Sequence, residues 1–207
     1  PEHLWVLVHG IRGDPSDLQY MAEQIRSRHG SDAAMVVSAA NAGPLATLDG
    51  IPKGGVRLFE EVMGELEKGR SLCYLSFVCH GTGGLYARYA VRLLDERGVL
   101  GARVEPLNFI TLGAPHVGTL LGTGGVVGKV HQVFDMETST QLRLADGRAG
   151  GNPPLLLKMA APEYLRALAR FRRRAAYANV RHDSAVEYCS AALRPRDPYA
   201  LLPDREV

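Results

Sequence analysis

Apolar residues follow two alternating rhythms along this chain: short unbroken runs, and spacings of three and four. Leu4 to Val8 is a nearly continuous apolar run bounded by His9-Gly10 and Gly13-Asp14, the pattern of a strand buried on both faces. Asp14 or Ser16 then caps a predicted helix with Leu18, Met21 and Ile25 on one side and Gly30 as its stop. A second strand is predicted at Ala33 to Ser38, and the small, turn-forming residues from Ala40 to Ile51 form a long loop. Val56, Phe59, Val62 and Leu66 mark the buried side of the next helix, and Glu60, Glu61, Glu65, Glu67 and Lys68 place its remainder on the surface. Leu72 to Val78 is the most strand-like segment, followed by a helix over Thr82 to Arg97 with Leu85, Tyr89 and Leu93 one turn apart.

The later half is less regular. Asn108 to Leu112 reads as a strand running into Gly113-Ala114-Pro115-His116. From Gly118 to Gly151 glycines are scattered among apolar residues, which suggests an insertion or lid whose Leu120, Leu121, Val126, Val127, Val130 and Val133 supply apolar surface. A helix is predicted over Pro162 to Arg174 and a last strand over Ala175 to Val180, ending near Asp183. Strands alternating with helices predict an α/β fold, a mostly parallel, doubly wound sheet. The pattern fits one domain over 1–194 with a proline-containing tail over 195–207.

The junction between the strongest strand and its helix reads Leu75-Ser-Phe-Val-Cys79-His80-Gly81-Thr82-Gly83-Gly84. In a G-x-S-x-G elbow a buried strand turns sharply into a helix, lifting a serine hydroxyl above the sheet as a nucleophile. Here Gly81 stands at the serine position and Cys79 at the first glycine. The turn is kept and the hydroxyl is lost. Thr82 is one residue too late to replace it and Cys79 two residues too early, the latter expected to pack as a small apolar residue.

Acyl transfer also needs N–H donors for the developing oxyanion, a base, and an acid that orients the base. His9-Gly10-Ile11-Arg12-Gly13 can aim the N–H of Ile11 at an oxyanion, with the N–H of Thr82 as the second donor. Asp183 follows a late strand, where such a sheet carries its acid; it could equally cap a turn with Ser184. His9, Gly10, His80 and His116 are candidates for the cleft rim, with a polar loop residue as the simpler reading of His116. No base is identified: none of the histidines lies beyond Asp183, and His182, adjoining it on an extended chain, is a poor partner.

Composition narrows the field. The net charge of +2 over 207 residues gives no case for nucleic acid, and the run Arg170, Arg172, Arg173, Arg174 reads as a solvated helix end. Cys73, Cys79 and Cys189 are odd in number and lack paired metal-ligand spacing, so neither a disulfide framework nor a metal is expected, and no cofactor is called for. No apolar run approaches the ~20 residues that cross a bilayer, so a soluble domain in a reducing compartment is expected. Because the sequence opens on Pro1, it reads as cut from something longer, with any targeting signal then missing.

Six segments taken in order, LVHGIRGDPSDLQYM, LDGIPKGGVRLFEEV, SFVCHGTGGLYARYA, NFITLGAPHVGT, PLLLKMAAPEYLRAL and YANVRHDSAVEYCSAAL, give the chain a recognisable outline. It resembles the serine-esterase domain family of eukaryotic lipid hydrolases, which includes yeast lipid-droplet phospholipase-like enzymes. The resemblance implies an α/β-hydrolase fold, acyl esters of lipids as substrates or acyl chains as ligands, Asp183 as the acid, and a cytoplasmic protein touching membranes or lipid droplets. The family's elbow reads G-H-S-L-G-G, from which this chain departs at Cys79, Gly81 and Thr82, and the family's base lies beyond the segment matching YANVRHDSAVEY. Losing an activated serine costs on the order of a millionfold in turnover. The expectation is therefore a catalytically impaired lipase-like domain that keeps an acyl pocket; the alternatives are an active hydrolase with an unconventional nucleophile, and a protein-interaction module on the same scaffold.

Overall fold

The computed structural model describes residues 3–30, 33–43, 45–68, 71–119, 136–147 and 151–200. Five strands form one sheet: β1 (His3–Val8), β2 (Ala33–Val37), β3 (Tyr74–His80), β4 (Glu105–Leu112) and β5 (Arg173–Tyr177). Their order is β2-β1-β3-β4-β5, and every neighbouring pair is parallel. The longer helices are α1 (Gln19–His29), α2 (Ile51–Glu67) and α3 (Gly83–Glu96). Shorter ones follow as α4 (Glu137–Leu142), α5 (Leu155–Lys158), α6 (Pro162–Ala169) and α7 (Tyr188–Ala192).

Strand parity assigns the two faces of the sheet. Leu4, Val6, Val8, Phe77, Cys79 and Phe109 pack with α2, α3 and α6 on one face. Trp5, Leu7 and Val78 pack with Leu18, Ala22 and Ile25 of the α1 region on the other. Both faces of the central strands are covered, which is why β1 and β3 read as unbroken apolar runs.

The loop before α2 is braced through one arginine. Arg57 makes a two-pronged contact with Asp49, Nη1 to Oδ2 at 2.7 Å and Nη2 to Oδ1 at 2.8 Å, and its Nε donates to Asn41 Oδ1 at 3.0 Å. The hydrogen bond from Arg57 holds the Asp49 carboxyl below the usual carboxylate range. Thr47 in the same loop accepts from Arg12 N–H through Oγ1 at 2.9 Å and from the Tyr86 hydroxyl through its carbonyl at 2.8 Å. The turn after β1 is thereby tied to α3 through a single threonine.

Two expectations need correction. The helix predicted to run to Arg174 ends at Ala169, because Phe171, 1 % exposed, turns inward against Phe77 and Phe109 and takes the chain out of helical geometry. The strand accordingly starts at Arg173, and the arginine run is a turn plus the start of an edge strand, with Arg170 paired to Asp95 and Arg172 to Glu105. The segment read as a lid divides. Leu120, Leu121, Val126, Val127, Val130 and Val133 lie outside the described residues. Its later part, α4, is docked: Thr138 Oγ1 accepts from Gly50 N–H at 3.0 Å and Gln141 Oε1 from Ile51 N–H at 2.7 Å. These side chains satisfy donors at the start of α2 that have no partner within the helix.

Candidate active site

Val8, Cys79 and Thr111 lie in register at the carboxyl ends of β1, β3 and β4, so the turns that follow them meet above the sheet. Hydrogen bonds from Gly81 N–H to Leu112 O at 2.9 Å and from Gly113 N–H to Tyr177 O at 2.8 Å continue this gathering beyond the strands. The result is a cavity of about 280 Å³ whose walls include Gly10, Ile11, His80, Gly81, Thr82 and Asp183. Open parallel sheets bind ligands at this end of their strands.

Gly81 is the apex of the turn from β3 into α3, with φ +53. A side chain is strained in this backbone region, yet there is room for one: a Cβ on Gly81 would meet only Gly10 Cα, at 3.6 Å. Gly83, two residues on, is required for a different reason. A Cβ there would lie 2.5 Å from Val8 O and 2.6 Å from His9 O, so α3 can start this close to β1 only with a bare backbone. The wall of the cavity thus carries no hydroxyl at the apex. The backbone N–H groups of Ile11 and Thr82 beside it have no acceptor among the described residues.

Asp183 is held from three sides. Asn179 Nδ2 donates to Oδ2 at 2.9 Å, and the N–H groups of Ala185 and Val186 donate to Oδ1, each at 2.9 Å. Partial burial works against its charge, but these bonds and the nearby His80 imidazole outweigh it, and the carboxyl sits below the usual carboxylate range. Asp183 is therefore an ionised, pre-oriented acceptor, and it also forms the turn with Ser184 and Ala185 that the sequence offered as its other role. Asn179 carried no sequence signal, because its contribution depends on a loop fold rather than on a motif.

The rim candidates separate. Gly10 and His80 line the cavity. His9 does not: it is 1 % exposed, with Nδ1 turned to Gly10 O at 3.0 Å. His116 is also buried, 6 % exposed, with Nε2 2.9 Å from Thr111 Oγ1, and it faces a different cavity on the helix-covered side of the sheet. Among the described histidines only His80 stands on the wall beside Gly81, and no hydrogen bond joins it to Asp183; His131 lies outside the described residues. The substitute nucleophiles fare no better. Cys79 is fully buried in the core and its thiol is pushed strongly upward by burial, so it supplies no thiolate. Thr82 is 4 % exposed and no histidine is bonded to it. Among the described residues no cluster of metal-ligating side chains occurs, and no helix is long and apolar enough to cross a membrane.

Known proteins resemble this chain in sequence and in fold. The family model described as "Putative serine esterase (DUF676)" matches residues 1–193. In Saccharomyces cerevisiae, the protein named "Putative lipase YDL109C" is 31 % identical over 205 residues, which cover 97 % of this chain and 31 % of the yeast protein. "Putative lipase ROG1" of the same yeast is 31 % identical over 205 residues, covering 93 % of this chain and 28 % of its own. The chain thus spans less than a third of the length of these relatives. Among solved structures, the lipase BlEst2 of Bacillus licheniformis in its propeptide form superposes with a TM-score of 0.54 at 21 % identity, over 84 % of this chain and 35 % of that one. That likeness concerns the fold, a parallel sheet of α/β-hydrolase type. Matched along nearly its whole length by the family model and by yeast relatives above 30 % identity, the chain belongs to the serine-esterase family of α/β-hydrolase proteins.

Proposed function

We propose that this chain is a lipase-like domain that binds acyl esters of lipids in the cavity beside Gly81 without forming an acyl-enzyme. The observation that carries this reading is the bare, left-handed apex at Gly81, with room for a side chain and none present. In the proposed complex the N–H groups of Ile11 and Thr82 hold the ester carbonyl oxygen. The apolar side chains of Ile11, Leu142 and Val186 line the path of the acyl chain. Asp183 keeps the position of a triad acid, with no imidazole bonded to it among the described residues. The domain unit is 1–194, and the lipid-ester preference comes from the lipase names of its yeast relatives. A cytoplasmic setting at the periphery of membranes or lipid droplets is part of the same proposal.

Removing the attacking serine costs on the order of a millionfold in turnover, far more than two oxyanion donors restore. The natural chain should therefore hydrolyse p-nitrophenyl butyrate at the rate of buffer and stay unlabelled by a fluorophosphonate, while binding a non-hydrolysable dodecyl ketone by calorimetry. Gly81→Ser alone should stay unlabelled as well, because among the described residues no imidazole is bonded to Asp183 to activate the new hydroxyl. Turnover by the natural chain that the fluorophosphonate abolishes would show a nucleophile elsewhere. Absence of ketone binding would instead leave the cavity without its proposed ligand.

A further inference from the structure

A second cavity, of about 370 Å³, lies between β4, β5 and α6. Phe109, Leu156, Leu168 and Ala175 make its walls apolar, and Arg88, His116 and the exposed Arg174 line it as well. Its volume falls within the range of small-molecule sites. Around its mouth Val117, Leu165 and Leu193 are 56 %, 53 % and 56 % exposed, an unusual cluster of apolar side chains in water.

Arg88 is the unusual member. It is 7 % exposed on α3, and among the described residues no carboxylate pairs with it. Nη1 donates to His116 O at 3.0 Å and Nη2 to Met159 O at 2.8 Å, while Nε is buried without a partner. Two carbonyl oxygens orient a guanidinium and leave its charge uncompensated. A buried charge of this kind is costly unless it is paired.

We infer that this cavity binds a single-chain carboxylate, a free fatty acid, with the head group on Arg88 and the chain against Phe109 and Leu168 toward the apolar mouth. The inference does not depend on the ester-binding cavity beside Gly81, because the two share no lining residue. A guanidinium facing an apolar slot recognises a molecule with one anionic end and a long apolar remainder. Neutral lipid lacks the anion, and an inorganic anion leaves the walls uncovered. Burial draws the Arg88 pKa downward, so an arriving anion is matched to a charge that the site disfavours on its own. His116, lowered to about 4 by burial and by Arg88, is neutral near pH 7, so the cations on the wall are Arg88, deep in the cavity, and Arg174, exposed on β5 with Nη1 donating to Ala169 O and Phe171 O.

Calorimetry with dodecanoate, dodecan-1-ol and acetate tests this on the whole chain. Dodecanoate should bind about tenfold or more tightly than dodecan-1-ol, the expected return of one charge-assisted pair, and acetate should bind far more weakly than either. Ala176→Phe, on the exposed edge strand at the cavity wall, should abolish dodecanoate binding without touching the core. Ile11→Glu, at the other cavity, should leave it unchanged. Arg88→Met should reduce dodecanoate affinity to that of the alcohol, with circular dichroism reporting whether the variant folds; if it does not, Ala176→Phe decides. Equal binding of acid and alcohol, no binding of dodecanoate, or loss in Ile11→Glu with retention in Ala176→Phe would each overturn the inference.

Discussion

Gly81 and Gly83 sit two residues apart and would answer a new side chain in opposite ways. At Gly81 the backbone is left-handed but the space is open, so Gly81→Ser meets a conformational cost of about 1–2 kcal/mol and no collision. For a chain of this size that is a fall of roughly 2–8 °C in melting temperature, readable by differential scanning fluorimetry. At Gly83 a methyl group would enter the carbonyl oxygens of Val8, the last residue of β1, and of His9, the residue after it, both backbone atoms with little room to yield. Gly83→Ala should cost about 3 kcal/mol or more, the upper range for overpacking. If the serine variant proves the less stable of the two, the turn at 81 is tighter than its contacts suggest. At this scale the sequence was legible wherever a motif fixes the backbone, as at Gly81 and Gly83. It was silent on Thr47 and Asn179, whose roles come from loops that bring them next to Arg12 and Asp183. His9 misled because an H-G dipeptide after a strand states only that the chain turns. That the ring folds inward against Gly10 O is a matter of packing.

Between elements, α2 packs against α3 more extensively than any other pair of described helices, and glycines allow the approach. A Cβ on Gly55 would lie 2.5 Å from Tyr89 Cβ and 2.7 Å from its Cδ1, whereas a Cβ on Gly64 in the same helix would meet nothing within 4 Å. Alanine is favoured over glycine in a helix by about 1 kcal/mol, so at Gly64 this gain stands alone. Gly64→Ala should stabilise the chain by about 0.5–1 kcal/mol. At Gly55 the same gain opposes an overpacking cost of about 1–3 kcal/mol against the root of a side chain, and the clash should win by up to about 2 kcal/mol. Urea midpoints for the two variants should move in opposite directions; a shift of both the same way would mean that propensity or packing has been misjudged. The helices and strands themselves were readable because their apolar spacing is their burial pattern. The short α4, α5 and α7 were the exceptions, being too brief to show a period, and β5 was placed two residues late, since an edge strand with mostly exposed residues has no such spacing and Phe171 was counted with the helix before it.

Across the whole molecule, acid should destabilise this protein over two pH windows set by different groups. His3, half-buried and bonded through Nε2 to Ser76 Oγ at 2.8 Å, is lowered to about 4 by burial and by His29. His116 is lowered to about 4 by burial and by Arg88. Both are neutral in the folded chain near pH 5, whereas their unfolded counterparts take up protons below about 6.5. The unfolded state then binds more protons than the native state, and stability falls as pH falls. The loss runs from about 6.5 down to about 4 and stops where the folded imidazoles protonate as well. For deeply buried His116 it amounts to roughly 2 kcal/mol between pH 7 and pH 5. Asp49 and Asp183 act in a lower window, because their folded carboxyls lie below the ordinary aspartate value of 3.8 and their stabilisation is lost only as pH falls past it. The slope of urea-unfolding free energy between pH 7 and 5 separates these contributions. His116→Asn lowers stability at both pH values by removing the Thr111 contact, but it should flatten the slope, because a neutral amide binds no proton in either state. An unchanged slope would mean that His116 is protonated in the folded protein, with a cation already beside Arg88; the buried arginine would then have an anion near it that these contacts do not include.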